Sequence, residues 1–145
     1  MATKRAIRRP RAKQLRPDDY RALAEFRYQL RTFLAFATDA AEKAGLAPQQ
    51  HQALLVVKGY PGEDKPTIGY LAERLLVRHH SAVGLVDRLA RAGYLKRNPG
   101  KQDRRKVTLS LTSKGEAVLA RLAAASRGEL RRMALLKPLL AVVRK

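Results

Sequence analysis

The chain has no cysteine among its 145 residues. That absence removes disulfides, thiolate metal sites and thiol-based redox sensing together. Acidic residues are scarce: 12 Asp and Glu stand against 31 Lys and Arg, a formal net charge of +19. Long apolar runs are lacking too. None approaches the roughly 20 residues a helix needs to cross a bilayer. The basic N-terminus has no apolar stretch of the secretory kind. Its acid-free start is shared with mitochondrial-type transit peptides, but a nucleic-acid-binding tail on a bacterial cytosolic protein accords better with the rest of the chain. No nucleophile–base pair, carboxylate pair or glycine-rich phosphate loop is found, so no enzyme activity and no cofactor are expected. His79 and His80 are adjacent and point about 100° apart on a helix, which is not the i, i+4 arrangement of a metal pair. No metal is expected. No internal repeat is found, and no lipidation signal accompanies the basic residues, so no membrane partner is expected.

What is present in abundance is positive charge. A field of that sign gathers polyanions, nucleic acid first. Hydrophobic residues make up 46% of the chain, too many for a purely disordered polycation. Residues 1–16 hold Lys4, Arg5, Arg8, Arg9, Arg11, Lys13 and Arg16 with no acid. Self-repulsion and Pro10 predict a disordered arm there. It is either a solubilising tail or an arm that reaches phosphates or a minor groove. Without its +7 the remainder still carries +12.

Residues 17–145 are expected to form one domain. Pro17-Asp18-Asp19 reads as a helix start, and Leu23, Phe26, Leu30, Phe33, Leu34, Ala37, Ala41 and Ala44 recur at three- and four-residue spacing up to Gly45. Pro48 opens a second helix that runs to about Lys58. Thr67 can cap a short helix, Ile68 to Leu75. A turn at 76–78 leads into another helix, about His79 to Ala92, closed by Gly93. Tyr94–Arg97 and Lys106–Leu111 alternate like strands around a basic loop. Ser113-x-x-Glu116 reads as a capping box for a last long helix, with Gly128 and Pro138 expected to break or kink it before a short apolar end, 139–143. Helix, turn, helix and basic hairpin in that order form a winged helix-turn-helix, placed at about 48–111. The expected fold is therefore mainly α with a small β-wing.

Within helix 79–92, Ala82, Leu85, Val86 and Leu89 form the face that must pack inward. A recognition helix reads bases with its N-terminal residues. Here those are Arg78, His79, His80, Ser81, Val83 and Gly84, with Arg88 further along. Arg and His donate to guanine acceptors, Ser serves either way, and Val meets a thymine methyl. Gly84 offers close backbone approach. In the wing loop, Lys101, Arg104, Arg105 and Lys106 surround one acid, Asp103. An arginine at such a tip can enter a narrow minor groove. Asp103 would repel phosphate, so it is read as an anchor for a nearby guanidinium. Lys96 and Arg97 add phosphate contacts. The less favoured alternative for each of these runs is an ordinary solvated surface.

These residues resemble the MarR family of bacterial regulators. The likeness spans about residues 18–136. It rests on LAERL at 71–75, LVDRL at 85–89, Gly93-Tyr94-Leu95, the wing Asp103-x-Arg105, and Leu111-Thr112-x-x-Gly115. The resemblance implies a homodimer whose terminal helices, about 18–44 and 113–145, entwine. It implies two winged lobes on a pseudo-palindromic operator in double-stranded DNA, with Arg105 as the wing arginine and Asp103 its partner. It also implies a regulator, often a repressor, that responds to a small aromatic or phenolic ligand. Candidate pocket residues are Tyr28, Arg31 and Thr32 with His51, Leu55 and Lys58. A cytoplasmic, nucleoid-associated protein is expected. The alternative is a non-specific architectural DNA-binding protein.

Overall fold

Three helices of the chain end in the same hydrogen-bonded knot, and those endings set the angles between the elements. The structure, a computed structural model, describes residues 14–103 and 106–133. It contains α1 (Pro17–Lys43), α2 (Pro48–Lys58), α3 (Ile68–Leu75), α4 (His79–Arg91), β1 (Leu95–Asn98), β2 (Thr108–Leu111) and α5 (Ser113–Met133). Residues 1–13, most of the basic arm, lie outside the described residues, as do Arg104, Arg105, Pro138 and the apolar end 139–143.

At the end of α1, the Leu46 N–H donates to the Ala41 carbonyl and the Gly45 N–H to that of Glu42. At the end of α3, Val77 and Leu76 do the same with Ala72 and Glu73, and at the end of α4, Tyr94 and Gly93 do so with Leu89 and Ala90. This pattern satisfies the last carbonyls of a helix and needs a left-handed residue just past its end. Gly45 and Gly93 supply it with φ of 83° and 82°, as their placement in the sequence predicts. At the turn between α3 and α4 the left-handed residue is Leu76, with φ of 57° and 94% of its surface exposed.

The helix starts are set by local chemistry. The Arg16 N–H donates to the Asp19 carboxylate at 2.9 Å, and the Ala47 N–H to the Gln50 side chain at 2.9 Å. The Thr67 hydroxyl accepts from the Tyr70 N–H at 3.1 Å. The start of α5 differs from expectation. Thr112, not Ser113, is its cap: the Thr112 hydroxyl accepts from the Gly115 N–H at 3.1 Å. Glu116 does not turn back to close a capping box; it pairs with Lys58 of α2 at 3.0 Å. Gly128 does not break the helix either, since α5 runs through it to Met133. A glycine costs a helix only about 1 kcal/mol, which its neighbours in a continuous turn can offset. The strands also begin one or two residues later than their alternation suggests, because Tyr94 is consumed by the ending of α4.

β1 and β2 pair antiparallel, Leu95 opposite Leu111 and Asn98 opposite Thr108. A bridge between Thr67 and Thr108, with the Leu109 N–H donating to the Pro66 carbonyl at 2.8 Å, ties the start of α3 to the wing. Leu46, Leu54, Leu71, Val86, Leu89 and Leu109 are fully buried and knit α2, α3, α4 and β2 into one core. α1 and α5 enter that core by one end each, through Ala41 and through Val118, Leu119 and Leu122. The rest of α1 presents much of its apolar stripe to solvent: Leu23, Leu30 and Leu34 are 39%, 37% and 54% exposed, and Ala41 is the helix's one buried residue.

Leu76 is strained without compensation from burial. A left-handed conformation costs an L-residue about 1–2 kcal/mol. Leu76→Gly is therefore expected to raise stability by up to about 1 kcal/mol after the added chain entropy of glycine, a gain of a few degrees in Tm. Thermal unfolding checks this; a lowered Tm would mean that Leu76 makes contacts worth more than its strain.

Candidate nucleic-acid interface

α4 has one face committed to the core. Ala82, Leu85, Val86 and Leu89, spaced three and four apart, are buried. That orientation leaves Arg78, His79, His80, Ser81 and Arg88 exposed and Val83 and Gly84 half-exposed. The helix starts where the sequence predicts, with Arg78 as its cap residue. The Arg78 side chain makes no capping hydrogen bond, and no acid lies in the first turn. The positive end of the helix dipole is thus not neutralised and is reinforced by a guanidinium, a favourable arrangement for phosphate. At Gly84 a Cβ would meet only the Arg88 guanidinium, at 3.4 Å, so packing does not demand a glycine there.

The wing continues the same surface. Lys96, Lys101 and Lys106 are exposed, as is Asp103. The Lys106 N–H donates to the Asp103 carbonyl at 3.0 Å, which turns the tip. The Asn98 side chain crosses the hairpin to the Ser110 hydroxyl at 3.0 Å. Sequence reasoning did not find the link between wing and helix. Arg97 of β1, read as a phosphate contact, is paired with the carboxylate of Asp87 on α4. The hydrogen bond from Arg97 holds the Asp87 carboxyl below its usual range, with Arg91 and Arg88 adding in the same direction. The signal in the sequence was an acid facing outward in a helix otherwise basic on that side.

The far end of α4 is held by α5. The Lys114 ammonium donates to the Ala92 carbonyl at 2.7 Å and stands 4.4 Å above the centre of the Tyr94 ring. The Thr112 hydroxyl donates to the Gly93 carbonyl, and the Thr112 N–H to that of Tyr94 at 3.1 Å. Gly115 is buried against the Tyr94 carbonyl, where any Cβ would collide with the oxygen. That close approach explains the glycine in Leu111-Thr112-x-x-Gly115.

The six candidate ligand-pocket residues lie on two helices, Tyr28, Arg31 and Thr32 on α1 and His51, Leu55 and Lys58 on α2. Tyr28, Arg31, Thr32, Leu55 and Lys58 are exposed, and the Thr32 hydroxyl bonds its own helix at the Tyr28 carbonyl. His51 is buried, and burial lowers its pKa below the ordinary 6.5. Of the six, Lys58 alone borders the open cavity of about 210 Å³ between the end of α2, β2 and the start of α5, together with Tyr60, Lys65, Leu111 and Glu116. No helix among the described residues is long and apolar enough to cross a membrane.

A helix–turn–helix whose second helix shows a basic, polar face, followed at once by a basic two-stranded hairpin, defines the winged helix-turn-helix fold. The model of the MarR family matches residues 44–106. Among solved structures, the transcriptional regulator Tm0710 from Thermotoga maritima is 27% identical, with 79% of this chain and 76% of that chain covered and a TM-score of 0.61. A mutant of MepR from S. aureus bound to an oligodeoxyribonucleotide is 19% identical, covering 81% and 83%, with a TM-score of 0.65. CouR from Rhodococcus jostii bound to p-coumaroyl-CoA is 21% identical, covering 70% and 69%, with a TM-score of 0.60. A comparison with curated proteins finds no match. Over the segment 44–106, 63 of its 145 residues, the chain is similar to the MarR family.

Two outcomes follow, one from the ion pair at this surface and one from the buried His51. Asp87→Asn releases Arg97, so affinity for unrelated DNA should rise while preference for a specific site falls, on the order of threefold to tenfold, with little loss of stability for so exposed a pair. Binding to specific and scrambled duplexes checks this; an unchanged ratio would show that the pair does not position the wing. For His51, the unfolded chain takes a proton near pH 6.5 and the folded chain only at lower pH. Stability present above about pH 6.5 is thus lost as pH falls through that value. Tm should drop between pH 7.5 and 5.5, and His51→Leu should flatten that drop.

Proposed function

We propose that the protein is a homodimeric, sequence-specific regulator, acting as a repressor, that binds a pseudo-palindromic operator in double-stranded DNA. The observation that carries this reading is the division of α4 into a buried apolar face and an exposed face of Arg78, His79, His80 and Ser81 beside a basic hairpin. Arg78, His79, His80, Ser81, Val83 and Gly84 read base edges in the major groove, and Arg88 contacts the backbone. Lys101, Arg104, Arg105 and Lys106 engage the flanking groove, with Arg105 entering the minor groove and Asp103 its anchor. The exposed apolar stripe of α1, Leu23, Leu30 and Leu34, supports dimerisation, because a second copy would cover it. A cytoplasmic location on the nucleoid follows from that partner.

Selection from a random DNA pool at about 150 mM salt tests the reading. An enriched inverted repeat with half-sites about 34 Å apart is expected. A preference for it of about 10³-fold or more over bulk DNA separates a specific regulator from an architectural protein. Strong binding with no enrichment would favour the architectural reading. Arg105→Ala should weaken operator binding by at least about tenfold, or 1.4 kcal/mol, with helicity intact.

The same proposal includes an aromatic effector that meets Tyr28, Arg31, Thr32, His51, Leu55 and Lys58 in the dimer. CouR, bound to p-coumaroyl-CoA, supports the class of ligand. A saturable rise in Tm with aromatic carboxylates, lost in Arg31→Ala, is the expected result; no shift across a broad panel would remove the effector from the proposal.

A further inference from the structure

The positive charge of this chain is not spread evenly. Residues 67–111, the winged portion, hold ten Lys and Arg against three Asp and Glu. Residues 17–66 hold six against seven and are nearly neutral. Residues 112–145 hold eight against two. A protein that needed charge only to read an operator would concentrate it on the wing and α4. Here a second concentration follows, and α5 carries its described part.

α5 is buried along Gly115, Val118, Leu119 and Leu122. Arg121, Arg127 and Arg131 are exposed and point roughly 100–180° away from Leu122 around the helix. They extend over about 15 Å. Among the described residues no carboxylate pairs with any of the three, whereas Arg132 is paired with Glu129 and Lys114 is engaged at the end of α4. The helix is buried only as far as Leu122, so Arg127 and Arg131 stand beyond the winged core. The large apolar residue nearest them, Leu130, lies about 90° or more from the centre of this arc when Arg127 and Arg131 are averaged with Arg121.

We infer that this outer face of α5 is a second surface for duplex DNA, so that the protein holds one segment on its winged lobes and another on α5. The inference rests on the reading of the winged face as the operator side. The chemistry favours a duplex backbone over other polyanions. A helix that lies in a membrane surface needs a row of large apolar side chains beneath its cations. Beside these arginines the outer face offers Ala117, Ala120 and Ala124. Single strands are held by stacking on aromatic side chains, and α5 has none over its described length. A row of guanidiniums with no readout groups suits phosphates regardless of sequence.

The test uses the full chain and two duplexes. One, biotinylated, carries the selected operator; the other is fluorescent and unrelated. Wild-type protein on the immobilised operator should capture the second duplex, and the triple variant R121A/R127A/R131A should capture at least tenfold less. Its affinity for the operator alone, at a salt concentration where that site is saturable, should change less than about threefold, and its helicity and Tm should match wild type. Capture equal to wild type would overturn the inference, because bridging would then come from the winged lobes. An equal loss of operator affinity would overturn it too, because α5 would belong to the first site. Competition by anionic vesicles or single-stranded RNA at lower concentrations than duplex would reassign the face to those partners. If selection enriches no operator, two unrelated duplexes replace the pair; loss of capture in the triple variant would then support the α5 surface although the operator reading had failed.

Discussion

The structure depends on the packing of one carbonyl against one glycine. Where Tyr94 leaves α4, its carbonyl oxygen lies against Gly115, and no side chain could be accommodated between them. Around that contact the chain places the Thr112 hydroxyl, which both caps α5 and bonds the Gly93 carbonyl, and Lys114, which takes the last carbonyl of α4. The end of α4 and the start of α5 are thereby joined by hydrogen bonds. The carbonyls of Ala92, Gly93 and Tyr94, left over where α4 ends, are taken by Lys114 and Thr112 at the start of α5. The wing is closed by the same junction, since Leu95 and Leu111 pair immediately beside it. The orientation of α4, the root of the wing and the exit of α5 are set at one place.

Electrostatics then act on this rigid frame. The surface formed by α4 and the wing is mostly basic, and its acids are few. Asp87 does not neutralise the surface; it ties Arg97, and so β1, to the flank of α4. An exposed pair of this kind contributes little to stability. Its value lies in fixing the angle at which the hairpin leaves the helix. Lys58 and Glu116 play a similar part on the other side, joining α2 to α5 across the mouth of the cavity.

Much of the fold was legible in the sequence because its punctuation is strong. Pro48, Thr67 and the glycines at 45 and 93 mark helix ends by mechanisms that act over a few residues, and the corresponding elements begin or end there. The buried face of α4 was legible from spacing alone. Thr112 was missed as a cap because Ser113 and Glu116 offer the same pattern one residue later; only the long-range pull of Lys58 on Glu116 and of the Gly93 carbonyl on Thr112 decides between them. Asp87–Arg97 was missed because the two residues lie on different elements, and nothing in local periodicity brings them together. The apolar stripe of α1 was legible as a stripe, yet its exposure was not: spacing says that a face is apolar, and not which chain covers it.

The length of α1 gives the junction a mechanical meaning. Its 27 residues span about 40 Å, and it meets the winged core only near its C-terminal end. A rod of that length is a lever. With α4 and α5 locked together, a pivot of about 5° at the remote end of α1 carries the winged portion through roughly 3.5 Å, about one base-pair step along a duplex. A paired molecule built this way would measure the distance between its two lobes through the packing of its long helices. Small changes in that packing, far from any base, would be read as a change in reach.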